Sequence, residues 1–136
     1  MYRLRKAITF EAAHKLPNHL GKCGNLHGHV YKVEVFVVGQ ELKPIGQGRP
    51  DEGMLIDFSV LGAALEQVYR QFDHSYLNDL IPIPTAEALA RWIYDSVSRY
   101  LLSVAEPNVR VEKVRVYEME NAWAEYDTAD QDVSSG

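Results

Sequence analysis

The sequence predicts an α+β domain in which two helices cover one face of an antiparallel sheet. Three observations lead to this prediction. Apolar residues alternate along residues 2–12 and 27–37, two later segments carry apolar residues at helical spacing, and alternation returns after residue 107. Strands at both ends of the chain with helices between them indicate a sheet that is covered on one side.

The first two strands are predicted from their period of two. Between Tyr2 and Ala12 the even positions are mostly apolar, which is typical of a half-buried strand. In "HGHVYKVEVFVVG" the apolar positions alternate again, and His27 and His29 extend the same face toward its beginning. The segment "QELKPIGQGRPDEG" is rich in Gly, Pro and charged residues, so we expect a surface loop there, followed by a short strand at "MLIDF".

The helices and the last strands follow from spacing and capping residues. Ser59 is the candidate N-cap of a helix that ends near Asp73, and Thr85 is the candidate N-cap of a second helix. The apolar face of the first helix comprises Leu61, Ala64, Leu65, Val68 and Phe72; that of the second comprises Leu89, Trp92, Ile93, Val97, Tyr100 and Leu101. "VRVYEMENAWAEY" predicts two strands joined by a turn near Asn121, with a change of phase near Glu112.

Length and composition favour one domain. The chain has 136 residues, of which 46% are hydrophobic, so we predict a single domain over residues 1–126 and an acidic, disordered tail over residues 127–136. The formal charge of -5 argues against nucleic acid or an anionic membrane as a partner. No apolar run approaches the roughly 20 residues that span a bilayer, and a lone cysteine fits a reducing compartment, so we expect a soluble cytoplasmic protein.

Three histidines form a candidate metal site. His27 and His29 lie two apart on a predicted strand, so both imidazoles can point to one side and reach one ion. His14 ends the preceding strand and is the best candidate for a third ligand. Three neutral imidazoles suit zinc and leave one coordination position open for water or substrate, which is the catalytic kind of site. A pair of histidines at a polar strand end, without metal, is the alternative.

The only cysteine leaves three interpretations open. Cys23 could be a fourth ligand, which would close the site and make it structural. It could instead act as a base on a substrate that the metal holds. Its third interpretation is a small buried hydrophobic residue, since free cysteines are among the most buried residues. Periodicity does not distinguish these roles.

Three further ionisable residues are candidates for the site. Asp73 and His74 are adjacent, and a carboxylate beside an imidazole can raise its basicity and fix its tautomer; a solvated helix end is the alternative. Glu118 shares the strand phase of Val114 and Val116, so its carboxylate should face an apolar surface and need a hydrogen-bonding partner. A ligand with two N–H donors or an arginine would satisfy it.

Six segments in this order resemble the family of 6-pyruvoyl-tetrahydropterin and 6-carboxytetrahydropterin synthases. They are "FEAAHKL", "CGNLHGHVYKVEV", "GMLIDFSVL", "FDHSYLND", "PTAEALARWI" and "VRVYEMENAWAEY". The resemblance implies the tunnelling fold, or T-fold, a four-stranded antiparallel sheet with two helices. It also implies that two stacked trimers form a hexameric barrel, with active sites between subunits.

The resemblance also implies residue roles. His14, His27 and His29 match the three zinc ligands, and Cys23 matches a catalytic cysteine outside the coordination shell. Asp73 and His74 match the pair that works with that cysteine across a subunit boundary. Glu118 matches the carboxylate that anchors the pterin, whereas Thr85 either contacts the pterin or only caps its helix. Met119 departs from the family, where threonine is common at this position.

The spacing of cysteine, three residues and "HGH" looks like the bacterial 6-carboxytetrahydropterin synthases. The expected activity is that of a zinc-dependent lyase, which converts 7,8-dihydroneopterin triphosphate to 6-carboxy-5,6,7,8-tetrahydropterin with release of acetaldehyde and triphosphate, in the biosynthesis of queuosine and other deazapurines. Three alternatives stay open: a 6-pyruvoyl-tetrahydropterin synthase, a lyase for another pterin, and a noncatalytic zinc-stabilised binding module in which Cys23 completes a four-ligand site.

Overall fold

A computed structural model of the chain describes residues 1–128. In chain order its elements are β1 (Tyr2–His14), β2 (His27–Gly39), α1 (Phe58–Phe72), β3 (Ser75–Tyr76), α2 (Ala86–Ser103), β4 (Arg110–Met119) and β5 (Ala122–Asp127). Short 3-10 turns cover Lys22–Gly24 and Leu77–Asp79. Strand β5 includes Asp127, the first residue assigned to the predicted tail, and residues 129–136 lie outside the described part of the chain.

The strands form one sheet in the order β3-β1-β2-β4-β5. Each neighbouring pair among the four long strands is antiparallel, as predicted. The sequence did not predict β3, whose two residues pair in parallel with Ala12 and Ala13 at the outer edge of β1. The sheet is therefore a mixed sheet of five strands, and its fifth strand is short.

Two local predictions were wrong. The segment "MLIDF" forms no strand; it bends into α1, and its apolar character is explained by Leu55 and Ile56, which are 3% and 1% exposed in the core. The N-cap of α1 is Asp57 and not Ser59, because the Asp57 carboxylate accepts a hydrogen bond of 2.8 Å from the Ser59 amide. Ser59 thus lies inside the first turn, and the carboxylate also complements the positive end of the helix.

Both helices pack on one face of the sheet, and their predicted apolar residues form the core. All five residues predicted for α1 are buried, as are Leu89, Ile93, Val97 and Leu101 of α2, while Trp92 and Tyr100 are partly buried. The predicted phase change in β4 is a register shift opposite Phe36 and Val37, which leaves Glu112 unpaired in the ladder. Among residues 1–128, neither helix is long and apolar enough to cross a membrane.

The pairing of β1 with β2 decides where the candidate site lies. The last residue of β1, His14, is directly opposite the first residue of β2, His27. Glu118 lies near the end of β4, the next strand of the sheet, where its neighbour Tyr117 pairs with Lys32. The candidate residues on these three strands therefore meet at one end of the sheet, on the face covered by the helices.

Candidate metal centre and active site

His14, His27 and His29 converge as predicted. One ring nitrogen from each lies within 4.8 Å of the others, and the Nε2 atoms of His14 and His27 are 2.9 Å apart. His14 is 1% exposed. The Nε2 atom of His29 is also buried, and it has no hydrogen-bonding partner in the part of the chain that the structure describes.

The opposite ring nitrogens are held by backbone carbonyls. The Pro84 carbonyl oxygen is 2.8 Å from His14 Nδ1, and the Asn25 carbonyl oxygen is 2.7 Å from His27 Nδ1. Because a carbonyl only accepts, both Nδ1 atoms must carry hydrogen, and each neutral ring then presents an unprotonated Nε2. Two lone pairs 2.9 Å apart repel unless a cation or a proton lies between them. This donor set, with the unpaired His29 nitrogen, fits a zinc ion bound at about 2.0–2.1 Å.

Burial favours the neutral form of the third imidazole, that of His29. Desolvation lowers the pKa of His29, and the Glu118 carboxylate, whose Oε2 is 4.0 Å from His29 Nε2, only partly offsets it. Tyr31 lies beneath the rings, with its hydroxyl 3.2 Å from His14 Nδ1, and burial raises the pKa of this phenol. A neutral imidazole is the form that binds a metal ion.

Glu118 faces the triad, in agreement with its strand phase. The alternative partner, an arginine, is not found beside Glu118 among residues 1–128; its carboxylate faces the His29 ring instead, with Oε2 4.0 Å from Nε2. A shallow cavity of about 170 Å³ lies beside the carboxylate, and Glu87 from the first turn of α2 lines it too. Thr85 caps α2 as predicted, since its hydroxyl accepts a hydrogen bond of 3.1 Å from the Ala88 amide.

Cys23 lies in a closed loop between β1 and β2 and is partly exposed. Its carbonyl accepts a hydrogen bond of 2.7 Å from the Leu16 amide, which joins the two ends of the loop. Gly24 is required for this closure, because a Cβ atom there would lie 2.5 Å from the His19 carbonyl oxygen. Within residues 1–128, the group spaced for metal binding consists of the three histidines and does not include Cys23.

Asp73 and His74 lie elsewhere, at the outer edge of β1. Asp73 Oδ2 is 2.8 Å from His74 Nδ1, and its other oxygen accepts the Glu11 amide at 3.0 Å. The His74 amide in turn donates to the Glu11 carbonyl, and the Glu11 carboxylate is 3.5 Å from His74 Nε2. His74 has a φ of 55°, a left-handed conformation that is uncommon outside glycine. No direct contact found among residues 1–128 joins this pair to the triad, but His74 and His29 line the same open depression of about 470 Å³.

The pKa of His74 in this pair is shifted in the opposite direction to that of His29. The hydrogen bond from the Glu11 amide, followed by that from His74, lowers the pKa of Asp73. Asp73 raises the pKa of His74, so this imidazole readily carries a proton, unlike His29. The sequence analysis did not identify Glu11. Its odd-numbered position in the alternating strand β1 shows only that its side chain points away from the core.

The comparisons with known proteins agree with this architecture. A family model described as 6-pyruvoyl tetrahydropterin synthase matches residues 3–129. The chain belongs to this family. The 6-carboxy-5,6,7,8-tetrahydropterin synthase of Synechocystis sp. is 45% identical over 97 residues, which are 69% of this chain and 73% of that protein. A putative 6-carboxy-5,6,7,8-tetrahydropterin synthase of Archaeoglobus fulgidus is 38% identical over 119 residues, covering 88% of this chain and 90% of that protein.

Solved structures support the fold of this synthase family. The 6-pyruvoyl tetrahydropterin synthase of Caenorhabditis elegans superposes with a TM-score of 0.73 at 22% identity, and the match covers 93% of this chain and 94% of that one. Identity at that level speaks for the fold alone. The predicted T-fold is thereby confirmed for this member of the 6-pyruvoyl tetrahydropterin synthase family, with its two helices on a sheet dominated by antiparallel pairs.

Proposed function

We propose that the protein is a zinc-dependent lyase that converts 7,8-dihydroneopterin triphosphate to 6-carboxy-5,6,7,8-tetrahydropterin, with release of acetaldehyde and triphosphate. The observation that carries the proposal is the position of Glu118, whose carboxylate lies 4.0 Å from His29 Nε2, an unpaired buried nitrogen of the triad. A carboxylate that can accept hydrogen bonds from two N–H groups of a ring thus lies beside histidines that can hold an ion. The names of the relatives support the choice of this product within the family.

His14, His27 and His29 would hold the zinc ion. Three protein ligands leave a position open, and a zinc ion bound in this way supplies Lewis-acid polarisation of a substrate oxygen. Glu118 would accept two hydrogen bonds from the amino-pyrimidine edge of the pterin, a charge-assisted contact that fixes the ring. The ring would enter through the cavity that Glu118 and Glu87 share. Thr85 would contribute to this end of the site mainly through the cap of α2.

Proton transfer would be divided between two regions. Cys23 would remove a proton from the substrate side chain, and His74, oriented by Asp73, would carry a proton on the other side of the reacting carbons. The raised pKa of His74 suits this role because the ring can be protonated near neutral pH and still give up its proton. Asp73 would keep the His74 ring in one tautomer through the bond at Nδ1.

We further propose that the active site forms between subunits of a hexamer made of two trimers. The His74 side chain is 73% exposed and borders an open depression of about 470 Å³ that is also lined by Gly28, Val30 and the triad residue His29. Strand β5 has one free edge among residues 1–128, and β1 is covered at its outer edge only by β3. Free edges and exposed apolar side chains such as Leu20 and Leu26 favour association with further copies of the chain.

The proposed setting is a reducing cytoplasm, where the single thiol of Cys23 stays available, and the proposed pathway is that of queuosine and other deazapurines. The second candidate function is 6-pyruvoyl-tetrahydropterin synthesis, in which triphosphate is eliminated and the three-carbon side chain is kept. It is favoured by the description of the family model.

Mass spectrometry of the products distinguishes these functions. Zinc-loaded protein is incubated with 7,8-dihydroneopterin triphosphate, and we expect 6-carboxytetrahydropterin with an equal amount of acetaldehyde. A product that keeps three side-chain carbons would assign the pyruvoyl reaction instead. Unchanged substrate, from folded protein that holds one zinc per chain, would contradict both and favour a noncatalytic zinc-stabilised module.

A further inference from the structure

The side chain of Asn78 forms a two-point clamp on the backbone of Lys15. Its Oδ1 accepts the Lys15 amide hydrogen at 2.9 Å, and its Nδ2 donates to the Lys15 carbonyl at 2.7 Å. Only a side chain with both an acceptor and a donor can satisfy these two backbone groups. Asparagine meets this condition, whereas an ionised aspartate lacks the donor and an apolar residue lacks both groups.

The clamp continues the sheet beyond the point where β3 ends. Strand β3 pairs in parallel with β1 at only two positions, Ala12 with Ser75 and Ala13 with Tyr76. The chain then turns through the 3-10 segment Leu77–Asp79, and Asn78 supplies a donor and an acceptor in place of a strand. The backbone next to the metal ligand His14 is therefore fixed by one side chain.

The same segment also fixes the ring of His14. Asn78 Nδ2 is 3.4 Å from the Pro82 carbonyl, and two residues later the Pro84 carbonyl accepts the hydrogen of His14 Nδ1 at 2.8 Å. The residues between Asn78 and Pro84 thus span the two contacts that orient this ligand. One contact acts through the backbone of Lys15 and the other acts directly on the imidazole.

On the other side of the clamp lies the loop that carries Cys23. The residue after Lys15, Leu16, donates its amide hydrogen to the Cys23 carbonyl at 2.7 Å. Lys15, the clamped residue, is therefore the first residue of this loop. A displacement of Lys15 would move both the ligand that precedes it and the bond that sets the position of Cys23.

We propose that Asn78 is a positioning residue that couples the histidine triad to the loop of Cys23. The inference rests on the proposed function, because it takes the triad as a zinc site and Cys23 as the base. Asn78 itself touches neither group. Its contribution is to hold His14 and Cys23 in one fixed relation, so that zinc affinity and thiol position depend on the same two hydrogen bonds.

Two substitutions of similar size test the clamp. Asn78→Asp removes the donor, and Asn78→Leu removes both groups without adding charge. We expect zinc affinity, measured by competition with a chromophoric chelator, to fall about 10-fold or more, as happens when the partners of metal-bound histidines are lost. The loss should be larger for Asn78→Leu. In metal-free protein, Cys23 should react with iodoacetamide at a rate changed at least about threefold, because its loop is released at its first residue.

Controls separate the possible causes. Asn108→Ala changes an exposed asparagine near Gly39, at the far end of β2, and should leave both measurements unchanged. His14→Ala should lose high-affinity zinc binding; if it does not, the proposed metal site itself is wrong. If His14→Ala loses zinc while both folded Asn78 variants bind within twofold of the wild type, the clamp proposal alone is overturned.

A measurement on the unmodified protein covers the case in which neither variant folds. Hydrogen exchange of the Lys15 amide should be slow and should slow further, about 10-fold, on addition of saturating zinc, because metal binding stabilises the conformation that contains the clamp. An exchange rate of the Lys15 amide that is unaffected by zinc would overturn the coupling, whereas a further slowing on zinc addition supports it.

Discussion

The histidine triad and the Asp73 and His74 pair use the same side-chain chemistry in opposite ways. In the triad, His14 is 1% exposed and its Nδ1 donates to the neutral carbonyl of Pro84. In the pair, the His74 side chain is 73% exposed and its nitrogen is held by a carboxylate. A ring whose Nδ1 donates to a carbonyl presents its Nε2 to a cation, whereas an exposed ring with a carboxylate partner can carry a proton.

The two regions also differ in completeness. The triad is assembled from two adjacent strands of one chain, and its three rings converge within the described residues 1–128. The backbone of Glu11 holds the pair in place through hydrogen bonds. The His74 ring itself is exposed and borders an open depression. This difference supports the proposal that one chain supplies a metal site and only half of an acid/base site. The predictions below test that division, beginning with the largest effect.

The largest effect should come from separating metal binding from chemistry. Cys23→Ala should retain one zinc per chain and lose activity by about 10³-fold, within the range for loss of a general base. His29→Ala should lose both zinc and activity, since it removes one of three ligands. Metal analysis of the purified variants, with product assays, measures both. A Cys23→Ala protein without zinc would place the thiol in the coordination shell.

The second prediction concerns the location of the pair. His74→Ala and Asp73→Asn should keep zinc and lower kcat, by about 10²-fold for His74→Ala. If the site lies between subunits, unfolding and refolding a mixture of Cys23→Ala and His74→Ala chains should restore activity that neither variant has alone. Because some interfaces then combine an intact Cys23 with an intact His74, recovery is expected only in the mixture. No recovery, in oligomers shown to contain both chains, would place the two residues in one subunit.

The third prediction concerns Glu118, whose effect on activity should be no larger than that of His74. Glu118→Gln should raise KM and lower kcat/KM by about 10- to 100-fold, the equivalent of one or two charge-assisted hydrogen bonds. Zinc content should not change, because Glu118 is 4.0 Å from His29 and is not a ligand. Glu66→Gln, on the exposed side of α1, is the matched control. Unchanged KM and kcat/KM would reject the anchoring role.

The sequence predicted the triad more completely than the pair, for a physical reason. Alternation along β1 and β2 fixes which side chains share a face, so His14, His27 and His29 could be placed together before the structure was known. The carbonyls of Pro84 and Asn25, which orient the rings, have no signature in the sequence because every residue carries one.

The errors in the fold have the same origin. "MLIDF" was predicted as a strand because a short apolar run does not distinguish a strand from a bend whose side chains fill the core, as Leu55 and Ile56 do. The two residues of β3 are too few for any periodic pattern, and they pair only because α1 returns the chain to the edge of β1. The arrangement of subunits depends on surfaces of a second chain, so local patterns in one sequence do not determine it.

A smaller effect is expected at Thr85, which is placed at the start of α2. Thr85→Ala removes the cap on the Ala88 amide and should lower the free energy of unfolding by about 1 kcal/mol, whereas Thr85→Ser should restore most of it. Chemical denaturation of zinc-free protein measures this change. KM should stay within twofold if capping is the main role. A rise in KM in Thr85→Ala that is absent from Thr85→Ser would instead show that the hydroxyl also contacts the substrate.

The smallest effect is a change in one proton equilibrium, and it tests the comparison most directly. Since Asp73 raises the pKa of His74, NMR titration of this imidazole should give a midpoint above the ordinary value of about 6.5, and Asp73→Asn should lower it. Glu11→Gln should lower it less, because that carboxylate is 3.5 Å from Nε2 and largely exposed.

The same shift fixes the sign of the dependence of stability on pH. The folded protein binds the His74 proton more tightly than the unfolded chain, so the stabilisation is fully present below about pH 6.5 and is lost as the pH rises through the folded pKa. Asp73, whose pKa is lowered, contributes stability above its ordinary pKa of 3.8 and loses it as the pH falls through the folded value. Asp73→Asn should therefore flatten the pH dependence at both ends. An unchanged titration of His74 in that variant would mean that its exposed ring does not depend on Asp73, and the contrast with the triad would then rest on burial alone.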